Sequence, residues 1–223
     1  MWKQVALCLT LSSLYCQTEP KWVYKEVVDG NAVQTEWFSK PLDNMIELEG
    51  ISPKTKTQIT CSNDYIINKI TYESHKGKTP KEYSCKRDGS ALKISSHSED
   101  HQIEKIYQIG KSAWIQEFGF GLRPFVQSGY KSYKFCIINP KDYSLNQMVA
   151  KKERVELIDV NDKTYKAQKV KITLQGFKSL FWTAYAWFDT ASGDLLMYRG
   201  NKGPNTPTSV ITLSSSSGQS ETK

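Results

Sequence analysis

Histidine is scarce, at three residues in 223. Acid–base catalysis that depends on imidazole therefore has few candidates. Two of the three, His97 and His101, stand four apart with Glu99 and Asp100 between them. Helical spacing would bring both rings onto one metal. The surrounding Ser95–Gln102 has no apolar face to hold a helix, so the pair reads as a polar loop with at most an adventitious site. No C-x-x-C occurs, which removes the zinc-ribbon and thioredoxin patterns. No G-x-S-x-G occurs, so no nucleophile elbow is offered. His75-Lys76-Gly77-Lys78-Thr79 contains G-K-T, but the position five before Gly77, where a P-loop has glycine, is Tyr72. Asp159-Val160-Asn161-Asp162 opens like a calcium loop and then lacks the glycine and closing glutamate. No apolar run approaches the roughly 20 residues of a membrane-spanning helix. Catalysis is not expected, nor is a cofactor or a metal.

Acidic residues are missing from the first 18 positions. Lys3 precedes an apolar stretch from Val5 to Tyr15, the pattern of a secretory signal over residues 1–16. Cys16 closes the run as in a lipoprotein signal, with Leu14 two residues before it, although Tyr15 stands where a small residue is usual. Lipidation of Cys16 and ordinary cleavage nearby both stay open. Cys61, Cys85 and Cys136 remain after processing. They allow three alternative single disulfides, and they fit equally well as buried thiols with at most one bridge.

Arginine is also sparse: Arg87, Arg123, Arg154 and Arg199 are the only four, although the chain carries a net +7. Readers of nucleic acid and phosphate lean on the arginine fork. Dispersed lysine suits a solvated surface or a mild attraction to anionic headgroups. Nucleic acid is not an expected partner.

Turn chemistry is plentiful. Asp29-Gly30-Asn31, Arg87-Asp88-Gly89, Asn161-Asp162 and Ser192-Gly193-Asp194 each separate two runs rich in β-forming residues, and each reads as a hairpin. The flanking strands are 22–28 and 32–38, 82–86 and 91–95, 153–160 and 164–174, 182–188 and 195–199. Further strands are expected at 45–50, 55–61, 65–72, 104–109, 133–138 and 209–213. The expected fold is mainly β: a single strongly curved antiparallel sheet of about 10 or 11 strands over residues 17–213. One or two short helices would lie over its concave face, and a disordered polar tail would occupy 214–223.

In 169–174, Val170, Ile172 and Leu174 share one face and Lys169, Lys171 and Thr173 the other. Tyr165 and Ala167 fall in phase with the lysines, which suggests a bulge near Gln168. Phe181–Phe188 is apolar on both faces, as is its hairpin partner Leu195–Tyr198. Such a pair needs cover on each side: a second sheet, a helix or a bound apolar molecule. The expected helix spans Ser112–Phe118, with Trp114 and Phe118 four apart. The Gly/Pro-interrupted segment through Phe125 would fold over the sheet as a plug or lid. A short helical turn is expected within 142–149.

The C-terminal third, Glu153–Leu213, resembles a family of uncharacterised bacterial envelope proteins. The shared order is a hairpin, the Phe181–Phe188 strand, the Asp189–Gly193 turn, the Leu195–Gly200 strand, a G-P-x-T-P loop at Gly203–Pro207 and a last strand. Ala113–Phe125 is similar to the same family's W-I-Q-x-F-G-F-x-L-R-P-F stretch. The family resembles in architecture the lipoprotein-carrier Lol half-barrels, and that resemblance implies one curved sheet around an apolar concavity. By analogy it implies a fold and an apolar ligand type. The leader pattern leads to the separate expectation of a protein of the periplasm or outer membrane, held to the membrane through Cys16 if that residue is lipidated, and a monomer is expected.

The function expected from these readings is non-catalytic binding of a lipid, fatty acid or acyl chain. Trp114, Phe118, Phe125, Trp182, Ala184, Tyr185, Trp187, Phe188 and Met197 would contact it, and Tyr185 or Thr183 would orient a headgroup. The alternative is a structural or assembly protein of the envelope whose interior is filled by its own side chains.

Overall fold

The computed structural model describes residues 21–74, 81–97, 102–201 and 206–217. The signal-like leader with Cys16, the G-K-T stretch and His101 lie outside the described residues.

Among the described residues fifteen strands form one sheet. In chain order they are β1 (Trp22–Val28), β2 (Asn31–Leu42), β3 (Met45–Ser52), β4 (Thr55–Ser62), β5 (Ile67–Ser74), β6 (Lys81–Asp88), β7 (Ala91–His97), β8 (Gln102–Gln108), β9 (Ala113–Trp114), β10 (Ser132–Ile138), β11 (Leu145–Val160), β12 (Lys163–Leu174), β13 (Thr183–Asp189), β14 (Leu195–Asn201) and β15 (Thr208–Ser216). Two short helices, α1 (Phe118–Gly121) and α2 (Arg123–Gln127), stand between β9 and β10. The sheet is antiparallel except where β9 runs parallel to β10.

The strand count exceeds the expected 10 or 11: the fourteen ranges read from the sequence each hold a strand, β9 was not foreseen, and β11 begins earlier than expected. Residues 142–149 were expected to turn as a helix. Instead Asn139–Ser144 make a tight turn and β11 starts at Leu145. The helix expected over 112–118 is an error of phase. Ala113 and Trp114 pair with β10, and the helix starts only at Phe118, with both of its glycines inside it. At Gly121 a Cβ would stand 2.7 Å from Ile115, so only glycine lets that turn pack. β15 runs to Ser216 and pairs with β1, past the position where the polar tail was expected to begin.

The strand order places the chain path. It starts in the middle of the sheet at β1, meanders outward to the β8 edge, and crosses through residues 109–131 to the opposite edge. From there it meanders back until β15 pairs with β1. Hairpin connections therefore alternate between two ends. One end carries the turns at 43–44, 63–66, 89–90, 161–162 and 190–194. The other carries those at 29–30, 53–54, 139–144 and 175–182. At Asp29-Gly30 and Asn161-Asp162 both residues have positive φ, the conformation of the tight hairpin turns their sequences foretell.

Curvature brings the two edges together. Lys105 donates to the Asp142 carbonyl at 2.8 Å, the Tyr107 hydroxyl donates to the Tyr143 carbonyl at 2.9 Å, and the Ser96 and Tyr143 hydroxyls lie 2.7 Å apart. Side chains thus close the seam where no backbone ladder does. Tyr143 holds a left-handed φ of 57°, a strained conformation that this junction fixes.

The concave face is the core. Leu48, Ile59, Ile70, Cys85 and Ile94 form one inward row across β3–β7 and are fully buried. Each large aliphatic there contributes about 1.5–3 kcal/mol of burial. Cys61, Cys85 and Cys136 are buried free thiols, so none of the three possible disulfides forms. Burial pushes their ionisation up to about 11, 12 and 11. The break expected near Gln168 sits in that place but on the facing strand. The β11–β12 register shifts between Lys152 and Val155, and Gln168 Nε2 donates to the freed Glu153 carbonyl at 3.2 Å.

Candidate ligand site

The crossing segment 109–131 enters the interior and fills one end of it. Phe120 packs edge-on against Trp22 and Trp37, with centroids 5.2 and 4.8 Å away, and stacks on Tyr65 at 6.3 Å. Trp37 lies over Gly50, where a Cβ would meet the indole at 2.7 Å. Arg123 anchors α2 to the β13–β14 turn. Its Nη2 stands 3.0 Å from Asp194 Oδ1 and donates to the Ser192 carbonyl at 3.0 Å. Trp22 Nε1 donates to the same Asp194 oxygen at 2.8 Å. The guanidinium lies 4.3 Å from the Tyr65 ring centroid. Arg123 and Asp194 are both buried. This end is a sealed floor.

Toward the other end the inward side chains change character. Trp22, Tyr24, Leu213, Leu196 and Phe188 are buried near the floor. Farther along, the inward-facing Glu26, Tyr72, Tyr198 and Ile211 keep partial solvent exposure. Inward-pointing residues that water reaches line an open concavity. Glu117 and Phe118, at the N-terminal end of α1, form its base. Phe118 lies 6.0 Å from Phe135 and 6.2 Å from Tyr198, ring to ring. The Tyr198 ring in turn crosses Gly200, where a Cβ would meet its hydroxyl at 2.5 Å.

Glu117 makes no side-chain hydrogen bond among the described residues and is half-buried. Burial, and after it the charge of Glu26, push its carboxyl up to about 7. Glu26 accepts a 2.7 Å hydrogen bond from the Ser209 hydroxyl. The two carboxylates act electrostatically on the surrounding phenols. Burial first, then Glu26 and Glu117, raise Tyr198 to about 12. Tyr83 is raised for the same leading reason, with Glu117 as the next cause. Tyr72 is raised by burial and Glu117 and is held by hydrogen bonds with Thr55 and Ser74. All these hydroxyls stay protonated and able to donate. The concavity therefore offers aromatic walls, phenolic donors and the weakly acidic Glu117 carboxyl beside Glu26.

The residues singled out from sequence divide into three groups. Trp114, Phe125, Ala184 and Phe188 are buried members of the core cluster. Phe118 is half-buried at the base of the concavity, and Trp182 is half-buried with its Nε1 donating to the Asn201 carbonyl at 2.8 Å. Tyr185, Trp187 and Met197 belong to the outer face, because Trp187 pairs with Lys169 and Met197 in register and Tyr185 with Lys171 and Arg199. Among the described residues neither a helix nor a second sheet covers that outer face. Trp187 Nε1 donates to Glu156 Oε1 at 2.6 Å, and Lys169 Nζ lies over the Trp187 and Tyr185 rings at 5.2 and 4.6 Å. Long polar side chains supply the cover, as their aliphatic stems allow. Glu26, Glu117, Tyr72, Tyr83 and Tyr198 were not singled out. The usable signal was Glu117, a lone acid inside the apolar Trp114–Phe125 stretch.

No family model and no curated protein matches the chain. Among the solved structures that are similar, two share 9% identity with this chain. One is a beta-barrel-like protein of a domain of unknown function from Brucella abortus, with a TM-score of 0.49 over 86% of this chain and 94% of that one. The other is the hypothetical lipoprotein YmcC from Escherichia coli, with a TM-score of 0.40 over 90% of each chain.

Proposed function

We propose that this chain is a non-catalytic binding protein of the cell envelope that takes an amphipathic molecule into the concavity above α1. The apolar part would lie along Phe118, Tyr198 and Ile211, and the polar head would meet Glu117 and the tyrosine hydroxyls. One observation carries the reading: Glu117 faces the interior without a hydrogen-bond partner among the described residues, beside a second carboxylate and half-exposed aromatics. A half-buried carboxyl with no protein partner is left to water or to the polar group of a bound molecule. Two neighbouring acids repel an anionic head. Of a lipid, a free fatty acid and an acyl chain, the arrangement thus favours a molecule with a neutral or cationic head. Export, lipidation at Cys16 and kinship with the Lol-type carriers belong to the same proposal, and they rest on the leader pattern and the 153–213 motif order. The competing reading, an envelope scaffold with a self-filled interior, is favoured by the burial of Trp114, Phe125 and Phe188. That burial leaves Glu26, Tyr72, Tyr198 and Ile211 partly exposed.

Titration of the purified chain with N-phenyl-1-naphthylamine, read by fluorescence, separates the two. The binding reading expects saturable uptake near one probe per chain, weakened about tenfold by Phe118→Ala. It also expects cis-parinaric acid, an anionic probe of similar bulk, to bind more weakly to the parent chain than to Glu117→Gln. Absence of saturable uptake, or uptake indifferent to Phe118→Ala, favours the scaffold.

A further inference from the structure

The connection from β12 to β13 is out of character with the rest of the surface. Gly176–Leu180 forms a single 3-10 turn, reached through Gly176 at a φ of 71°. Three large apolar side chains project from this tip: Phe177 is 76% exposed, Leu180 86% and Phe181 64%. Exposed hydrophobics elsewhere on the described surface stand singly or in pairs. The only charged residue of this tip's sequence is Lys178.

The register shows what lies beside the tip on the outer face. The first row inward joins Lys134, Val149, Thr173 and Thr183. The next joins Ser132, Lys151, Lys171, Tyr185, Arg199 and Val210. Together they carry four cations and no acid. Carboxylates return only in the following stretch, where Glu153 pairs with Lys169 at 3.7 Å. The tip is convex, so it offers no groove for a folded partner. A convex apolar turn backed by cations and a tyrosine suits the boundary between lipid headgroups and acyl chains. It also stands at the end of the sheet where the concavity opens.

We infer that the 175–182 turn inserts Phe177, Leu180 and Phe181 into an anionic lipid surface, with Lys134, Lys151, Lys171 and Arg199 meeting the headgroups. This goes beyond the proposed ligand site and does not depend on it.

The test uses the full chain carrying Cys16→Ser, so that no acyl group contributes, and vesicles of phosphatidylcholine with or without about 30% phosphatidylglycerol. Co-sedimentation is expected to be stronger on the anionic vesicles and to weaken as salt rises. Phe177→Ser/Leu180→Ser/Phe181→Ser is expected to lower binding at least about tenfold, and Lys151→Glu/Lys171→Glu to abolish the preference for anionic lipid. All five side chains lie at the surface, and an unchanged near-ultraviolet circular dichroism spectrum confirms folding. Phe177→Trp reads insertion directly: its emission, taken as the difference from the parent chain, is expected to shift to the blue on adding anionic vesicles. Equal sedimentation of parent and triple variant, or no shift at the added tryptophan, overturns the inference. An apolar probe that binds while vesicles do not would sink this inference and leave the proposed function standing.

Discussion

Glu117→Gln removes one ionisable proton from the base of the concavity and changes little else in size. The parent carboxyl ionises at an ordinary 4.5 in the unfolded chain and at about 7 in the folded one. The folded state therefore holds its proton more tightly. Stability from this group is fully present below about pH 4.5, falls as pH rises, and is gone above about 7. The full shift corresponds to at most about 3 kcal/mol lost between pH 4.5 and 8. Water reaches the half-buried carboxyl, which lowers the figure to about 1–2 kcal/mol. Glutamine does not titrate, so the variant should match the parent near pH 4.5 and exceed it by about 1–2 kcal/mol at pH 8. Urea denaturation at intervals across this range, followed by circular dichroism, measures the difference. Parallel stability profiles for the two proteins would refute the reasoning, because Glu117 would then have to be fully hydrated and no enclosed concavity would surround it. A neutral or cationic ligand should narrow the gap by favouring the ionised carboxylate.

The floor offers a second test. Arg123→Ala strands the buried Asp194 carboxylate and should cost about 3–5 kcal/mol, whereas Arg123→Met with Asp194→Leu should cost much less; denaturation of the single and double variants gives the coupling. Gly50→Ala drives a methyl into the Trp37 ring and should lower stability by about 1–3 kcal/mol, with a changed near-ultraviolet tryptophan signal. Thiols raised to about 11 or 12 should resist an aromatic disulfide reagent at about pH 8. Cys61, Cys85 and Cys136 should accordingly label only on unfolding, and rapid native labelling of any of them would contradict the burial described.

The strands were legible because their cues are local. Asp29-Gly30 and Asn161-Asp162 dictate turn geometry by themselves, and the alternation of Val170, Ile172 and Leu174 reports a buried face without reference to any partner. The errors fall where a partner decides. Ala113-Trp114 became strand because β10 offered a free edge, which no periodicity within 112–118 could announce. Phe118–Gly121 became helix despite two glycines because the turn is enclosed by Ile115, Leu195 and the aromatic floor.

The candidate site was only partly legible for a related reason. Hydrophobicity marks what the chain buries, and the most apolar residues, Trp114, Phe125 and Phe188, were consumed in doing so. What remains open inside a curved sheet is whatever its own plug fails to cover. Here that surface is mixed: Phe118 and Tyr198 beside Glu26 and Glu117. Each belongs to a different part of the chain, and only the crossing from the β8 edge to the β10 edge brings them together. The outer aromatics show the converse. Tyr185 and Trp187 looked in need of a lid, yet Lys169 and Glu156 cover them from neighbouring strands. Counting apolar residues per strand cannot separate these cases, because a lysine stem and a plug helix satisfy the same face. The register separates them, since it states which side chain lies beside which.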